Sequence, residues 1–186
     1  MEIILAENHG FCYGVKRAVE MANEAAEGKG KSYTLGPIIH NPQVVGRLES
    51  KGVSPIQEVA DIDEGTMIIR SHGVGPAIYA EAEEKGLHIL DATCPHVKKA
   101  QQDAKSVIED GMTLVILGEK NHPEVKSINL WANNKGIIIE DEESAKKLQI
   151  VEKMGVVVQT TFSQFKFNSI IEILEKKSKN LKVFKT

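Results

Sequence analysis

The sequence has no surplus of positive charge: 23 lysines and arginines stand against 26 aspartates and glutamates, a net charge of -3 at pH 7. It therefore offers no basic face of the kind that binds nucleic acid. No apolar run approaches the roughly 20 residues of a membrane-spanning helix, and the N-terminus lacks the basic start and apolar segment of a secretory signal. These absences predict a cytoplasmic protein with neither membrane nor nucleic-acid partner. No low-complexity segment and no Pro/Gly/Ser-rich linker interrupts the chain. Cysteine is scarce, two in 186 residues, and in a reducing compartment two thiols favour metal-binding or catalytic work over a disulfide. The rest, 41% apolar and 26% charged, is the composition of a folded globular protein rather than a disordered one.

Both cysteines belong to an internal repeat. Cys12-Tyr13-Gly14-Val15-Lys16-Arg17-Ala18 recurs as Cys94-Pro95-His96-Val97-Lys98-Lys99-Ala100. Downstream, Leu35-Gly36 precedes His40 as Leu117-Gly118 precedes His122. A third echo aligns Leu87-His88-Ile89-Leu90-Asp91 with Leu181-Lys182-Val183-Phe184-Lys185, and its register would place a further cysteine two residues beyond Thr186. The repeat predicts two pseudo-symmetric units, 1–94 and 95–186, in a truncated piece of a longer protein whose third unit is missing.

Short apolar runs rich in β-branched residues occur at Ile3-Ile4-Leu5, Met67-Ile68-Ile69, Leu114-Val115-Ile116-Leu117, Ile137-Ile138-Ile139 and Val156-Val157-Val158, with weaker ones near Tyr33 and Ile89. Near-continuous apolarity marks strands buried on both faces. Segments of helical composition at 15–27, 76–85, 97–109 and 163–179 alternate with them. The fold class is therefore α/β, each unit a mainly parallel sheet flanked by helices. Ligands of such sheets gather beyond the carboxyl ends of the strands. Cys12, His40, His72, Cys94, His122 and Thr160-Thr161 each follow an expected strand.

A cysteine opening a helix faces the positive end of the backbone dipoles, and with Lys16-Arg17 or Lys98-Lys99 nearby it favours the thiolate that ligates metal. The ordinary alternative is a pair of buried structural thiols, which the matched placement disfavours. Two cysteines cannot by themselves complete a four-cysteine cluster or a structural zinc site.

His40, His72 and His122 lie in turns rich in Gly, Pro and Asn, where imidazoles can donate hydrogen bonds to a phosphate or diphosphate. Metal ligation by the three is the competing reading, although no closely spaced histidine pair of the zinc-enzyme type is present. His9, His88 and His96 read as solvated or capping residues. Glu124, just after Pro123, would ordinarily be a favourable charge in the first turn of a helix; beside a site that releases hydroxide it becomes a proton source. Thr160-Thr161 would ordinarily cap the next helix, or else relay protons between Glu124 and a substrate.

Gly10-Phe11-Cys12-Tyr13-Gly14-Val15, His40-Asn41-Pro42-Gln43-Val44-Val45, Ser71-His72-Gly73-Val74, Asp91-Ala92-Thr93-Cys94-Pro95, His122-Pro123-Glu124-Val125 and Gln159-Thr160-Thr161-Phe162-Ser163 run in order across the whole chain. Together they closely resemble the 4-hydroxy-3-methylbut-2-enyl diphosphate reductase family, iron-sulfur oxidoreductases of the non-mevalonate isoprenoid pathway. The resemblance implies a [4Fe-4S] cluster surrounded by three α/β domains that donate one cysteine each, of which this chain would supply the first two. Cys12 and Cys94 would then be cluster ligands, with the third cysteine and further diphosphate contacts missing. His40, His72 and His122 would line the diphosphate pocket, Glu124 would deliver protons, and Thr160 rather than Thr161 would orient the substrate hydroxyl. The substrate would be an allylic diphosphate reduced to isopentenyl and dimethylallyl diphosphate, with a reduced ferredoxin or flavodoxin-type electron donor. The expected activity of these two domains alone is none, the cluster being absent or unstable. The rival reading is a non-catalytic diphosphate-binding or scaffold protein, whose signature is diphosphate binding that needs the three histidines but neither iron nor cysteine. A zinc-binding module is a weaker third reading, testable by metal analysis.

Overall fold

In the computed structural model the described residues are 3–4, 7, 9–28 and 30–184. The chain runs α1 (Tyr13–Glu27), β1 (Ser32–Leu35), α2 (Pro42–Glu49), β2 (Val53–Ile56), a 3-10 turn (Val59–Asp61), β3 (Thr66–Ile69), α3 (Pro76–Glu84) and β4 (His88–Asp91). It then repeats the order: α4 (Pro95–Glu109), β5 (Thr113–Leu117), α5 (Pro123–Trp131), β6 (Ile137–Ile139), α6 (Glu142–Lys147), β7 (Val151–Val158), α7 (Gln164–Glu175) and β8 (Ser178–Phe184). Two four-stranded sheets result, β2-β1-β3-β4 and β6-β5-β7-β8. Every ladder in them is parallel. The second sheet thus copies the strand order of the first.

The apolar runs at 67–69, 114–117 and 156–158 form central strands whose two faces are both covered, and the run at 137–139 forms the edge strand β6. Ile68 points into a cluster with Ala18, Ala22, Val44 and Leu48 of α1 and α2, whereas Met67 and Ile69 meet Val59, Ile62 and Ala82 on the other face. In the second sheet Leu114 and Ile116 pack on Ala104, Val107, Val125 and Ile128, and Val115 and Leu117 pack on Ala145, Ile170 and Leu174. Each fully buried aliphatic side chain contributes about 1.5–3 kcal/mol through the hydrophobic effect. Helix starts are set locally. Pro42, Pro76, Pro95 and Pro123 occupy first turns, where the missing N–H costs nothing. The Asn41 side chain accepts from the N–H groups of Gln43 and Val44.

Three expectations are corrected. Ile3 and Ile4 lie outside any strand and are 74% and 85% exposed, and Leu5 is outside the described residues; β-branched composition forms no strand without a partner edge. Cys12 consequently follows no described strand. The helix expected over 163–179 ends at Glu175, and the chain returns as β8, whose Lys179, Asn180 and Lys182 suit an exposed edge. That strand and β4 take corresponding places beside β7 and β3, matching the third echo up to Phe184; Lys185 and Thr186 lie outside the described residues. The strand β2 was not expected, because Val53-Ser54-Pro55-Ile56 is short and contains the proline that only an edge position tolerates. Among the described residues no helix is long and apolar enough to cross a membrane.

Gly155 sits in β7 where a Cβ would overlap the methyl groups of Val107 on α4. Gly155→Ala should lower stability by about 1–3 kcal/mol, because overpacking outweighs the smaller gain from a stiffer unfolded chain. Urea unfolding of the two proteins measures it.

Candidate functional site

The strand ends bring His40, His72 and His122 together from both sheets. His40 follows β1, His72 follows β3 and His122 follows β5. Their ring centroids are 4.8 Å apart for His40–His72, 5.4 Å for His72–His122 and 6.4 Å for His40–His122. The alignment across two sheets depends on a polar seam. Ser127 on α5 donates from Oγ to the His72 carbonyl at 2.8 Å and shares that hydrogen with the Glu124 carbonyl at 3.1 Å. The same oxygen accepts from Nε2 of Gln101 on α4 at 3.1 Å. Trp131 Nε1 donates to the Val74 carbonyl at 2.9 Å, and Gly75 leaves the space that Leu130 fills.

His122 is the N-cap of α5, and its Nδ1 accepts from the Glu124 N–H at 3.1 Å. An accepting Nδ1 carries no hydrogen, so the ring proton is on Nε2 and the outward nitrogen is a donor. His72 is half-buried with Nδ1 lacking a partner. Its pKa is pushed down to about 4, chiefly by burial and then by the neighbouring His40, Arg70 and His122. Potential ligand atoms of the three histidines lie within 4.8 Å of one another. A divalent cation would need an unprotonated nitrogen from each ring at about 2.0–2.1 Å. At His122 the free nitrogen carries a proton, so the cluster suits an anion better than a cation.

Glu124 is 2% exposed. It is more than a helix-terminal charge, because its carboxylate leaves α5 and accepts from Thr160 N at 2.6 Å and Thr160 Oγ1 at 2.8 Å. Burial raises its pKa above the usual carboxylate range, while the two Thr160 hydrogen bonds and His122 pull the other way. Thr160 does not cap α7, a position held by Ser163. Thr161 instead accepts from Gln159 Nε2 at 2.9 Å, and Gln159 Oε1 accepts from Glu119 N at 2.9 Å.

Cys12 and Cys94 are both free thiols and are the N-cap residues of α1 and α4, with no side-chain capping hydrogen bond. A Cβ at Gly14 would overlap Cys94 Sγ, so the second thiol lies against the first turn of the helix that Cys12 opens. Arg17 donates to the carbonyls of Thr93 at 3.3 Å and Asp91 at 3.5 Å, tying α1 to the segment before Cys94. Two soft donors at adjoining helix N-termini fit part of the ligand set of an iron-sulfur cluster and fall short of the usual four. His88 lies by Thr66, with Nδ1 3.5 Å from Oγ1, and His96 is exposed.

Gln101, Ser127 and Arg70 were missed by sequence reasoning. For Gln101 the signal was present: it falls on the apolar stripe of α4 with Val97, Ala100 and Ala104, where a polar side chain must find a partner.

The family model described as LytB protein matches residues 3–186. The chain is 46% identical to 4-hydroxy-3-methylbut-2-enyl diphosphate reductase of Geotalea uraniireducens (strain Rf4) over 186 residues, which is 100% of this chain and 66% of that protein. It is 47% identical to the enzyme of the same name from Pelobacter propionicus, with the same coverage. It therefore spans 66% of the length of these curated relatives. A solved (E)-4-hydroxy-3-methyl-but-2-enyl diphosphate reductase superposes with a TM-score of 0.84 at 42% identity, covering 98% of this chain and 66% of that one. The Plasmodium falciparum E-1-hydroxy-2-methyl-but-2-enyl-4-diphosphate reductase gives 0.90 at 31% identity, covering 96% of this chain and 57% of that one.

The depressed pKa of His72 has a thermodynamic consequence. Between about pH 4 and the unperturbed value of 6.5 the folded protein holds fewer protons at this site than the unfolded chain, so stability rises with pH across that window. In His72→Asn this rise should shrink by roughly 1–3 kcal/mol after discounting for solvent screening. Denaturant melts from pH 4 to 7 read the difference.

Proposed function

The chain belongs to the LytB protein family, and on that premise we propose that it carries the site for reductive dehydroxylation of 4-hydroxy-3-methylbut-2-enyl diphosphate to isopentenyl and dimethylallyl diphosphate. The observation that carries this reading is the pairing of a donor-bearing imidazole cluster with a buried carboxyl, one of whose oxygens is held by a threonine hydroxyl. His40, His72 and His122 would bind the diphosphate, the Nε2–H of His122 donating to a phosphate oxygen. Glu124 would be the proton donor. Burial raises its pKa, so at a given pH more of the carboxyl would be protonated than at an exposed site, which favours delivery of a proton to a leaving oxygen. With Glu124 ionised, Thr160 Oγ1 donates to it. Once that oxygen is protonated, the hydroxyl accepts from it instead, and its own hydrogen becomes free for the substrate hydroxyl.

In the balanced reaction one allylic C–O bond breaks, two electrons and two protons enter, and the oxygen leaves as water. Cys12 and Cys94 would hold a [4Fe-4S] cluster together with ligands beyond this pair. When bound, the cluster would relay two electrons, one at a time, from an external donor and supply Lewis acidity toward the substrate oxygen. The histidines contribute positioning, which turns an encounter into an intramolecular step. The electron donor would be a reduced ferredoxin or flavodoxin, in the cytoplasm. The two copies of one element order support the division into units 1–94 and 95–186.

In the active protein, Glu124→Gln should lower turnover by about 10²–10⁴-fold, the usual contribution of a general acid, while iron content and the affinity for inorganic diphosphate stay unchanged. Steady-state kinetics with calorimetry checks this, and unaltered turnover would remove Glu124 from the proton path.

A further inference from the structure

Beside the histidine cluster, a cavity of about 350 Å³ opens between the strand ends of the first sheet and α5. Its polar walls are Arg70, which follows β3, Lys126 and Ser127 on α5, and Gln57 and Asn121. No carboxylate lines it. Arg70 is half-buried, and among the described residues neither it nor Lys126 forms an ion pair, although seven other lysines do. Arg70 Nε is buried without a hydrogen-bond partner, and a Cβ at Gly36 would come within 2.9 Å of its terminal nitrogen. One terminal nitrogen of the guanidinium therefore lies against the turn after β1, in space that the absence of a Cβ at Gly36 leaves open.

A cation withdrawn from water without a counter-charge is destabilising. Surface lysines avoid that cost by staying solvated; half-buried Arg70, with Nε out of water and unpartnered, avoids it only in part. The volume falls in the range of small-ligand sites, about 300–1,000 Å³, and the position beyond parallel strand ends is where α/β proteins bind ligands. A guanidinium fork matches the oxygens of a phosphoryl group, and a lysine adds a point charge.

We propose that this cavity is a second anion site, separate from the histidine cluster, that takes a small phosphate-type oxyanion between Arg70 and Lys126. Gln57 and Asn121 supply amide donors to the remaining oxygens. The site stands whether or not the histidines bind diphosphate, since it uses none of them.

Calorimetric titration of the full chain with inorganic phosphate, and separately with inorganic diphosphate, tests it in three proteins. In His40→Asn/His72→Asn, one equivalent of phosphate should still bind. In Arg70→Gln/Lys126→Gln, that affinity should fall by about 10-fold or more, the effect of losing a charge-assisted pair. Lys126→Gln alone, at an exposed position that cannot disturb the fold, should weaken phosphate binding measurably. Comparison of the two anions tells whether the cavity takes a single phosphoryl group or a diphosphate end. Phosphate binding that survives both Lys126→Gln and the double variant unchanged, or that vanishes in the histidine variant, overturns the proposal. Diphosphate binding indifferent to the histidine changes would instead count against the proposed function and leave this site standing.

Discussion

Parallel pairing is the constraint on which the arrangement rests. In each sheet every neighbouring strand points the same way, so the chain must cross back over a sheet face before each new strand. The crossovers cover both faces with helices, which is why Met67-Ile68-Ile69 and Leu114-Val115-Ile116-Leu117 are apolar without alternation. They also collect every strand-to-helix turn at one edge of each sheet. His40, His72, His122 and Thr160 occupy four of those turns. Their gathering is a consequence of topology before it is one of chemistry.

Topology alone does not bring two edges face to face. That falls to a small set of contacts between α4, α5 and the loop after β3. Ser127 and Gln101 satisfy one another and the His72 carbonyl away from water, where an unmade hydrogen bond would cost about 1–3 kcal/mol. Gly73 and Gly75 allow the approach, because a Cβ at either would meet Gln101 or Leu130. Gly73 also has φ +71, a conformation that glycine adopts at little cost. The seam is polar and directional, and it sets the relative position of His72 and His122 to within a hydrogen bond. A purely apolar interface would allow sliding.

Much of this could be read from residues alone, and what could not has a physical reason. The repeat around Cys12 and Cys94 is written in side chains, and the structure gives both the same N-cap position. Three of the four central strands, β3, β5 and β7, announce themselves because burial on both faces favours unbroken apolarity, whereas central β1 carries Ser32 and Thr34. Edge strands do so less regularly: β6 is the apolar run Ile137-Ile138-Ile139, but β2 contains Pro55 and β8 is diluted by lysines, since one side of each is free of pairing. The run at Ile3-Ile4 misled for the converse reason, having strand composition without a described partner. At the site, residue types pointed to His40, His72, His122, Glu124 and Thr160, and the structure brings the three imidazoles together and Glu124 onto Thr160. Sequence could not show that Glu124 turns away from its helix end, because Thr160 is 36 residues distant along the chain. Nor could it separate anion from metal binding, a choice that turns on which nitrogen of His122 holds the proton.

Burial moves the two ends of the site toward the same condition. It pushes the Glu124 carboxyl up and the His72 imidazole down, so each favours its neutral form more than it would in water. Under the proposed function, hydrogen-bond donors with fixed direction would then select a ligand by geometry, where a row of lysines would select by charge alone. The fixed tautomer of His122 would do this at the strand end, and the same backbone N–H that fixes it belongs to Glu124. In the proposed reading, anion recognition and proton delivery would thus be joined in one helical turn: the backbone N–H that His122 Nδ1 accepts from belongs to the residue whose side chain would carry the acid. On that reading, a substitution that loosens the start of α5 would disturb both together, whereas one confined to the Glu124 carboxyl would separate them.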